Sequence, residues 1–425
     1  MAWSIQDGFH PKELTPGDAI RYYVFPCFLV LVCTPGSLFL LWFGQGKDRP
    51  APDASVFLGS SFAWTVVAVT LAWAYAFLRI PSAKCHGPTT YFGQTPEYQA
   101  NGVLYFWASL IAFVFCCALW PDLPVSIYEE MPYIMGSLNS FALLFCVLLL
   151  VRGKYWPQSK ERIGKFPLIY EYYRGMELHP RIFGVDIKQL IICRFGMIAW
   201  ELLNLTYLFA GLRLHSYNAG FLVSVLLQSI YLAKFFWWEA GYFDTLDIIY
   251  DRAGFYLCYG CLVFVPSIYA FSSYYFVAHP PLVSDVTAWV VFGLGIAFVL
   301  LNYKVDYEKQ VFKNTGGKCE IWGKPARYLE VEYSTTSGVK RSKLLTSGFW
   351  GMSRHFNYVF ELLAAYSWAV VGIHYGAWPF LYSTILTILL VQRIFRDEEK
   401  CSKKYGKYWD QYCKRVPYRL IPGVF

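Results

Sequence analysis

Ten apolar runs constrain this chain more than anything else in it. They fall near residues 20–43, 56–78, 102–120, 133–151, 190–211, 220–242, 253–276, 281–303, 357–373 and 376–395. Most are long enough to cross about 30 Å of hydrocarbon, where backbone groups must satisfy one another within a helix. The chain has 425 residues, 56% hydrophobic and only 16% charged, a balance foreign to soluble domains. The pattern predicts an all-α polytopic membrane protein of about ten transmembrane helices. The last two runs are short and meet at a tight turn near Gly376.

A net charge of +8 would suggest nucleic acid in a soluble protein, but here the bases gather in loops. Arg152, Lys154, Lys160, Arg162, Lys165, Arg174, Arg181 and Lys188 follow the fourth run, and the segments 304–350 and beyond 396 are also basic. The loop 121–132 carries Asp122, Glu129 and Glu130 without a base. With ten spans all basic segments lie on one side, which the positive-inside bias assigns to the cytosol. Membrane lipids, not nucleic acid, are the partners this implies. Residues 1–18 are polar and the first apolar run is long, so no cleavable signal peptide is expected. Twelve cysteines, mostly inside apolar runs, favour packed reduced thiols over a disulfide framework. Cys258 and Cys261 have CxxC spacing but no second pair, and no metal site is expected.

Three polar clusters could carry chemistry. Lys309 and Lys313, one turn apart at a helix end, suit a phosphate by charge, or are an ordinary basic helix end. Ser342 to Tyr358, SKLLTSGFWGMSRHFNY, brings Trp350, Arg354, His355, Asn357 and Tyr358 to the point where backbone re-enters apolar surroundings. In the tail, Asp397, Cys401, Tyr405, Tyr408 and Tyr412 recur at four- and three-residue steps, so they share one face of a helix running to Pro417. That face suits a heterocycle and ribose; an interfacial helix with snorkelling lysines is the alternative. The third cluster is Trp237, Trp238, Glu239, Asp247, Asp251 and Gly254. Partial burial of Glu239 would keep a proton available near neutral pH; snorkelling of Glu239 and Lys234 to the interface is the alternative. Glu201 and Glu361 are further membrane acids, as readily helix–helix hydrogen-bonding partners as functional groups. No GxGxxG unit, P-loop, HExxH or GxSxG occurs, so whatever binds does so in a helix-bundle cavity.

These residues resemble the membrane sterol reductases, which reduce ring or side-chain double bonds with NADPH. The likeness rests on SKLLTSGFWGMSRHFNY, on RDEEKCSKKYGKYWDQYCKRVPYRLIPGVF, on LIYEYYRGMELHPRIFGVDIKQL and on WWEAGYFDTLDIIYDRAGF. It runs from about residue 165 to the end and more weakly before. On this likeness residues 1–189 are four helices with a cytosolic loop, and 190–425 are the reductase core. Δ14-reducing members and the sterol-reductase half of the lamin B receptor usually read GWWG and RHPNY. Here Gly348-Phe349-Trp350-Gly351 and Arg354-His355-Phe356-Asn357-Tyr358 are similar instead to the branch reducing the C7–C8 bond of a Δ5,7-sterol.

The resemblance implies a cytosol-facing NADPH pocket in the C-terminal half and a 7-dehydrocholesterol-like substrate. Lys309 and Lys313 would meet the adenosine 2′-phosphate. Leu345, Trp350, Asn357 and Tyr358 would line the dinucleotide, and Asp397, Cys401, Ser402, Lys403, Lys404, Tyr405 and Tyr412 would close it. It further implies that a buried acid protonates the alkene and that hydride follows from NADPH, with Tyr412, Glu239 and Asp251 on the proton path. Lys313 stands where Arg is usual, Tyr250 for His, Phe360 for Gly and Lys234 for Asp. Another sterol double bond, an isoprenylcysteine-type methyltransferase using S-adenosylmethionine, and a non-catalytic sterol-binding protein are the alternatives. The membrane would be the endoplasmic reticulum in a eukaryote or the inner membrane in a bacterium.

Overall fold

The computed structural model describes residues 15–46, 53–90, 93–158, 165–335 and 338–425, so Lys160, Arg162 and Ser337 lie outside it. Among the described residues nine helices are long and apolar enough to cross a membrane. They are Pro16–Gly44, Ala54–Arg79, Gly102–Leu119, Met131–Tyr155, Gln189–Leu214, Ala219–Trp237, Phe255–Ala278, Asp285–Asn314 and Trp378–Tyr405. The chain is an all-α polytopic membrane protein. The expected span at 357–373 is a 15-residue helix, Phe356–Val370, short of the roughly 20 residues that a perpendicular crossing needs.

Side-chain caps start several of these helices. Ser60 accepts from the Ala63 N–H at 3.0 Å, Asn218 from Phe221 at 2.8 Å and Ser284 from Thr287 at 3.2 Å. All twelve cysteines are free thiols.

Contacts divide the chain into a unit ending at Pro280 and a unit Pro281–Phe425, whereas the reading by resemblance placed its division at 189/190. The first unit carries two small antiparallel hairpins, β1 (Lys84–His86) with β2 (Glu97–Gln99) and β3 (Arg181–Ile182) with β4 (Val185–Asp186). Beside them Tyr98 and Phe243 stack at 4.0 Å over Ile192, Ile248 and Leu257.

In the second unit a hydrophilic segment leaves the helix Asp285–Asn314 and forms β5 (Glu320–Ile321), β6 (Lys324–Pro325), β7 (Tyr328–Thr335) and β8 (Gly338–Leu345). β7 and β8 pair antiparallel with Tyr328 opposite Leu345 and Val331 opposite Ser342. Opposed residues share a face of the ribbon. One face puts Tyr328 and Leu345 against Phe312, Ile321, Trp350 and Phe356. The other puts Leu329, Val331 and Leu344 against Trp409, Tyr412 and Val416 of the tail. The hairpin therefore sits between two apolar clusters.

The tail differs from the single helix expected. Trp378–Tyr405 runs straight into it, ends at Gly406 with φ +52°, and a second helix, Lys407–Arg415, follows. The periodic face is split between the two helices. Cys401, Tyr405, Tyr408 and Tyr412 still pack as one cluster on β7, so the face is covered by protein rather than left to headgroups.

Candidate functional site

Ser342 to Tyr358 leaves β8 and turns at Gly348, whose φ is +63°. A Cβ there would lie 2.5 Å from Ile321 and 2.7 Å from a Glu308 carboxylate oxygen, so only glycine fits. The turn seats Trp350 on the short helix Phe349–Met352. Its indole N–H donates to the Val305 carbonyl at 2.9 Å, and the Lys309 ammonium lies 3.8 Å from the ring centroid. Leu345 is buried in the same cluster. Asn357 donates to Asp306 at 3.0 Å while its carbonyl accepts from Asn302 at 3.0 Å. The Tyr358 ring stacks on His355 at 5.4 Å.

Arg354 ties this segment to the tail. Its Nε and Nη2 donate to one Glu398 oxygen at 2.8 and 2.5 Å, and its Nη1 to the carbonyls of Val416 and Pro417 at 2.6 and 3.0 Å. The second Glu398 oxygen accepts from Arg419 at 2.7 Å. The backbones also pair: Arg354 N–H donates to Tyr418 and His355 N–H to Arg419, both at 3.0 Å. The Ser353 hydroxyl donates to Leu420 at 2.8 Å. Burial of His355 lowers its imidazole from 6.5 to about 4, with Asp397 and Glu398 opposing and Lys309 and Arg354 reinforcing, so the ring is neutral at pH 7.

Two of the three clusters singled out in the sequence converge here. The charged groups acting on Lys309 are Lys313, Asp397 and Asp306, and those acting on Lys400 are Asp397, Lys404 and Lys313. Cys401 lies 3.9 Å from Asp397 on the same helix. Tyr405 packs edge-on to Tyr333 at 5.6 Å, with the Lys404 ammonium 4.2 Å from the Tyr333 ring. Tyr412 is buried against Trp409, and that burial raises its phenol, so it stays protonated. Ser402 and Lys403 are exposed, and Lys403 pairs with Glu399 at 2.6 Å.

This donor set fits a dinucleotide phosphate. Two exposed ammonium groups stand a turn apart beside a carboxylate and an indole face. Phe360 packs on Phe349 and Phe356 at 6.0 and 5.5 Å, so it buttresses the aromatic wall.

Glu239 and Asp251 belong to the first unit, and each is engaged by a guanidinium. Glu239 is 4% exposed; both its oxygens accept from Arg194, one of them at 3.1 Å. Arg194 also donates to Asn101 at 2.8 Å, and a Cβ on Gly102 would lie 2.4 Å from Glu239. A proton on Glu239 would have to displace an Arg194 contact. Asp251 accepts from Arg174 at 2.5 Å, and that guanidinium covers the Tyr250 ring at 4.9 Å. The Lys188 ammonium donates to the carbonyls of Asp247, Ile248 and Asp251.

Sequence reasoning missed Glu398, Arg419, Asp306, Arg194 and Arg174. Asp306 had a signal: it sits three residues before Lys309, on the same helix face. Arg194 and Arg174 had none, because their partners lie 45 and 77 residues away.

A family model described as the ergosterol biosynthesis ERG4/ERG24 family matches residues 20–425. The chain is 37% identical to a 7-dehydrocholesterol reductase of Arabidopsis thaliana over 93% of this chain and 96% of that one. It is 32% identical to a 7-dehydrocholesterol reductase of Xenopus laevis, over 96% and 89% respectively. It is also 30% identical to a Delta(14)-sterol reductase of Methylotuvimicrobium alcaliphilum, over 96% and 97%.

Proposed function

Because the chain belongs to the ergosterol biosynthesis ERG4/ERG24 family, we propose that it uses NADPH to reduce the C7–C8 double bond of a 7-dehydrocholesterol-like sterol. Membership makes it an oxidoreductase of sterol double bonds. The observation that carries the cofactor reading is the Lys309–Trp350 contact with Lys313 and Asp397 beside it. The Δ7 reading is supported by the two relatives named for that reaction and by Phe356, which fills the position where Δ14-reducing members usually have Pro.

When bound, NADPH would supply the hydride. Lys309 and Lys313 would hold its 2′-phosphate; Lys313 lacks the guanidinium fork usual there, so phosphate contact is not bidentate. Trp350 and Leu345 would line the dinucleotide with Asn357 and Tyr358, and Asp397 would accept from a hydroxyl. Cys401, Ser402, Lys403, Lys404, Tyr405 and Tyr412 would close the site from the tail. An alkene is a poor base, so the chain must present a proton with water excluded. Tyr412, buried and protonated, is the proposed donor. Glu239 is proposed with it on the proton path, and Asp251 as a supporting acid. The site faces the cytosol on this reading.

Expression in a host that accumulates Δ5,7-sterols, followed by sterol profiling, tests it. Loss of the conjugated-diene ultraviolet absorption is expected; loss of a Δ14 or side-chain double bond instead overturns the Δ7 assignment. Thermal stabilisation of the purified protein by NADPH is expected as well. Stabilisation by S-adenosylmethionine, or by neither, would point to a methyltransferase or a non-catalytic sterol binder.

A further inference from the structure

A second polar cluster lies inside the first unit, between the helices Gln189–Leu214 and Ala219–Trp237, in residues both expected to span the membrane. Glu201 is fully buried there; the Ser229 hydroxyl of the facing helix acts on its carboxyl group, but neither carboxyl oxygen is in a well-formed hydrogen bond. One turn along, the side-chain oxygen of Asn204 is in no hydrogen bond. The neighbouring donors are spent elsewhere. Trp200 Nε1 and Asn204 Nδ2 donate to the Gln228 oxygen at 2.9 and 3.2 Å. The Gln228 amide donates to Ser273 at 3.1 Å and to the Ser224 carbonyl at 3.3 Å. Among the described residues no charged side chain acts on Glu201. The facing hydroxyl of Ser229 is the helix–helix partner the sequence suggested, but it carries no charge, and a carboxylate here would be buried without a counter-charge.

We propose that Glu201 is a proton-binding site within the membrane, an un-ionised carboxylic acid locked between Asn204 and Ser229. Hydrogen-bond arithmetic carries it. The four atoms without a well-formed hydrogen bond are two carboxyl oxygens, one amide oxygen and the Ser229 hydroxyl, a set rich in acceptors and short of one donor. A single proton closes the set. The acid O–H donates to Asn204, three residues on along the same helix face. The Ser229 O–H donates to the remaining carboxyl oxygen. A metal cation on the same atoms is the rival, but it would demand a fuller oxygen shell than these four atoms offer. The site stands independently of the reductase reading, because none of its residues has been placed in the sterol or cofactor machinery.

Infrared difference spectroscopy of the full chain in lipid nanodiscs, wild type against Glu201→Gln, tests this at neutral pH. The wild type should show the carbonyl stretch of an un-ionised acid above the amide I band, moving down in D2O and absent from Glu201→Gln. Ser229→Ala should shift that band, and replacing sodium with choline should leave it unchanged. An amide is the neutral isostere of the acid, so Glu201→Gln should also fold and melt as the wild type does. Absence of the band, or its appearance only when sodium is withdrawn, would overturn the proposal. If Glu201→Gln is lost, an unmoved band in Ser229→Ala overturns it equally.

Discussion

The Lys309 ammonium sits 3.8 Å from the centroid of the Trp350 ring, held there with no carboxylate in a direct ion pair among the contacts of the described residues. An exposed cation resting on an indole keeps its charge on offer to an anion. A hydrogen bond to a charged group contributes about 1.5–3 kcal/mol. Lys309→Met should therefore raise the dissociation constant for NADPH roughly 10- to 100-fold, and that for NADH, which lacks the 2′-phosphate, much less. Calorimetric titration of both nucleotides reads this directly. Equal loss for the two would remove Lys309 from phosphate recognition.

Arg354 spends its guanidinium on Glu398 and on two tail carbonyls, all buried or nearly so. Removing one partner of such a pair leaves the other uncompensated, a cost of about 3–5 kcal/mol. Arg354→Ala should lower the melting temperature and the yield of folded protein. Arg354→Lys should not restore either, because one ammonium cannot reproduce the fork. A Lys variant with wild-type stability would show that the carbonyl contacts are dispensable.

The buried His355 imidazole titrates near 4 when folded, against 6.5 for the free group. The unfolded chain thus takes up the proton first as pH falls. Stability from this group is whole above about pH 6.5 and is lost as pH drops through the folded value near 4, on the order of 3 kcal/mol in total. His179, in the first unit, is lowered in the same direction, to about 2. His355→Gln should flatten, not abolish, the loss of thermal stability between pH 6.5 and 4. An unchanged slope in that variant would mean the ring is hydrated in solution.

Tyr412→Phe keeps the ring that packs on Trp409 and removes only the hydroxyl. If that hydroxyl delivers the proton, turnover should fall about 10²- to 10⁴-fold with melting temperature and NADPH affinity intact. Glu239→Gln behaves differently. It leaves Arg194 buried against a neutral amide, so stability should fall together with turnover, by about 3–5 kcal/mol. If both variants retain near-normal turnover, neither group is on the proton path.

Much of this architecture could be read from residue order. The apolar runs gave the helices because hydrophobic length is a local property, and the period of Asp397, Cys401, Tyr405 and Tyr412 named the face that covers β7. The break at Gly406 was hidden, because the apolar period carries across it while the backbone turns through a left-handed residue. The run 357–373 looked long enough to span because its apolar composition continues past the helix end at Val370. Arg354 and His355 stood out in the sequence. Their partners did not, since Glu398 and residues 416–420 reach them only through tertiary folding. Spacing could suggest Glu239 as an acid. It could not show that Arg194 already holds both its oxygens.

The pairing of Ser353, Arg354 and His355 with Leu420, Tyr418 and Arg419 also bears on biogenesis. The two halves of that ladder are separated in sequence by the helices Phe356–Val370 and Trp378–Tyr405. If Trp378–Tyr405 fails to insert, residues 416–420 are left on the wrong side or out of reach, and the Arg354 guanidinium meets none of its carbonyl acceptors. Correct topology is thereby a precondition for a closed site. A misinserted chain would present exposed arginines to the quality-control machinery instead of the closed corner at Ser342–Tyr358.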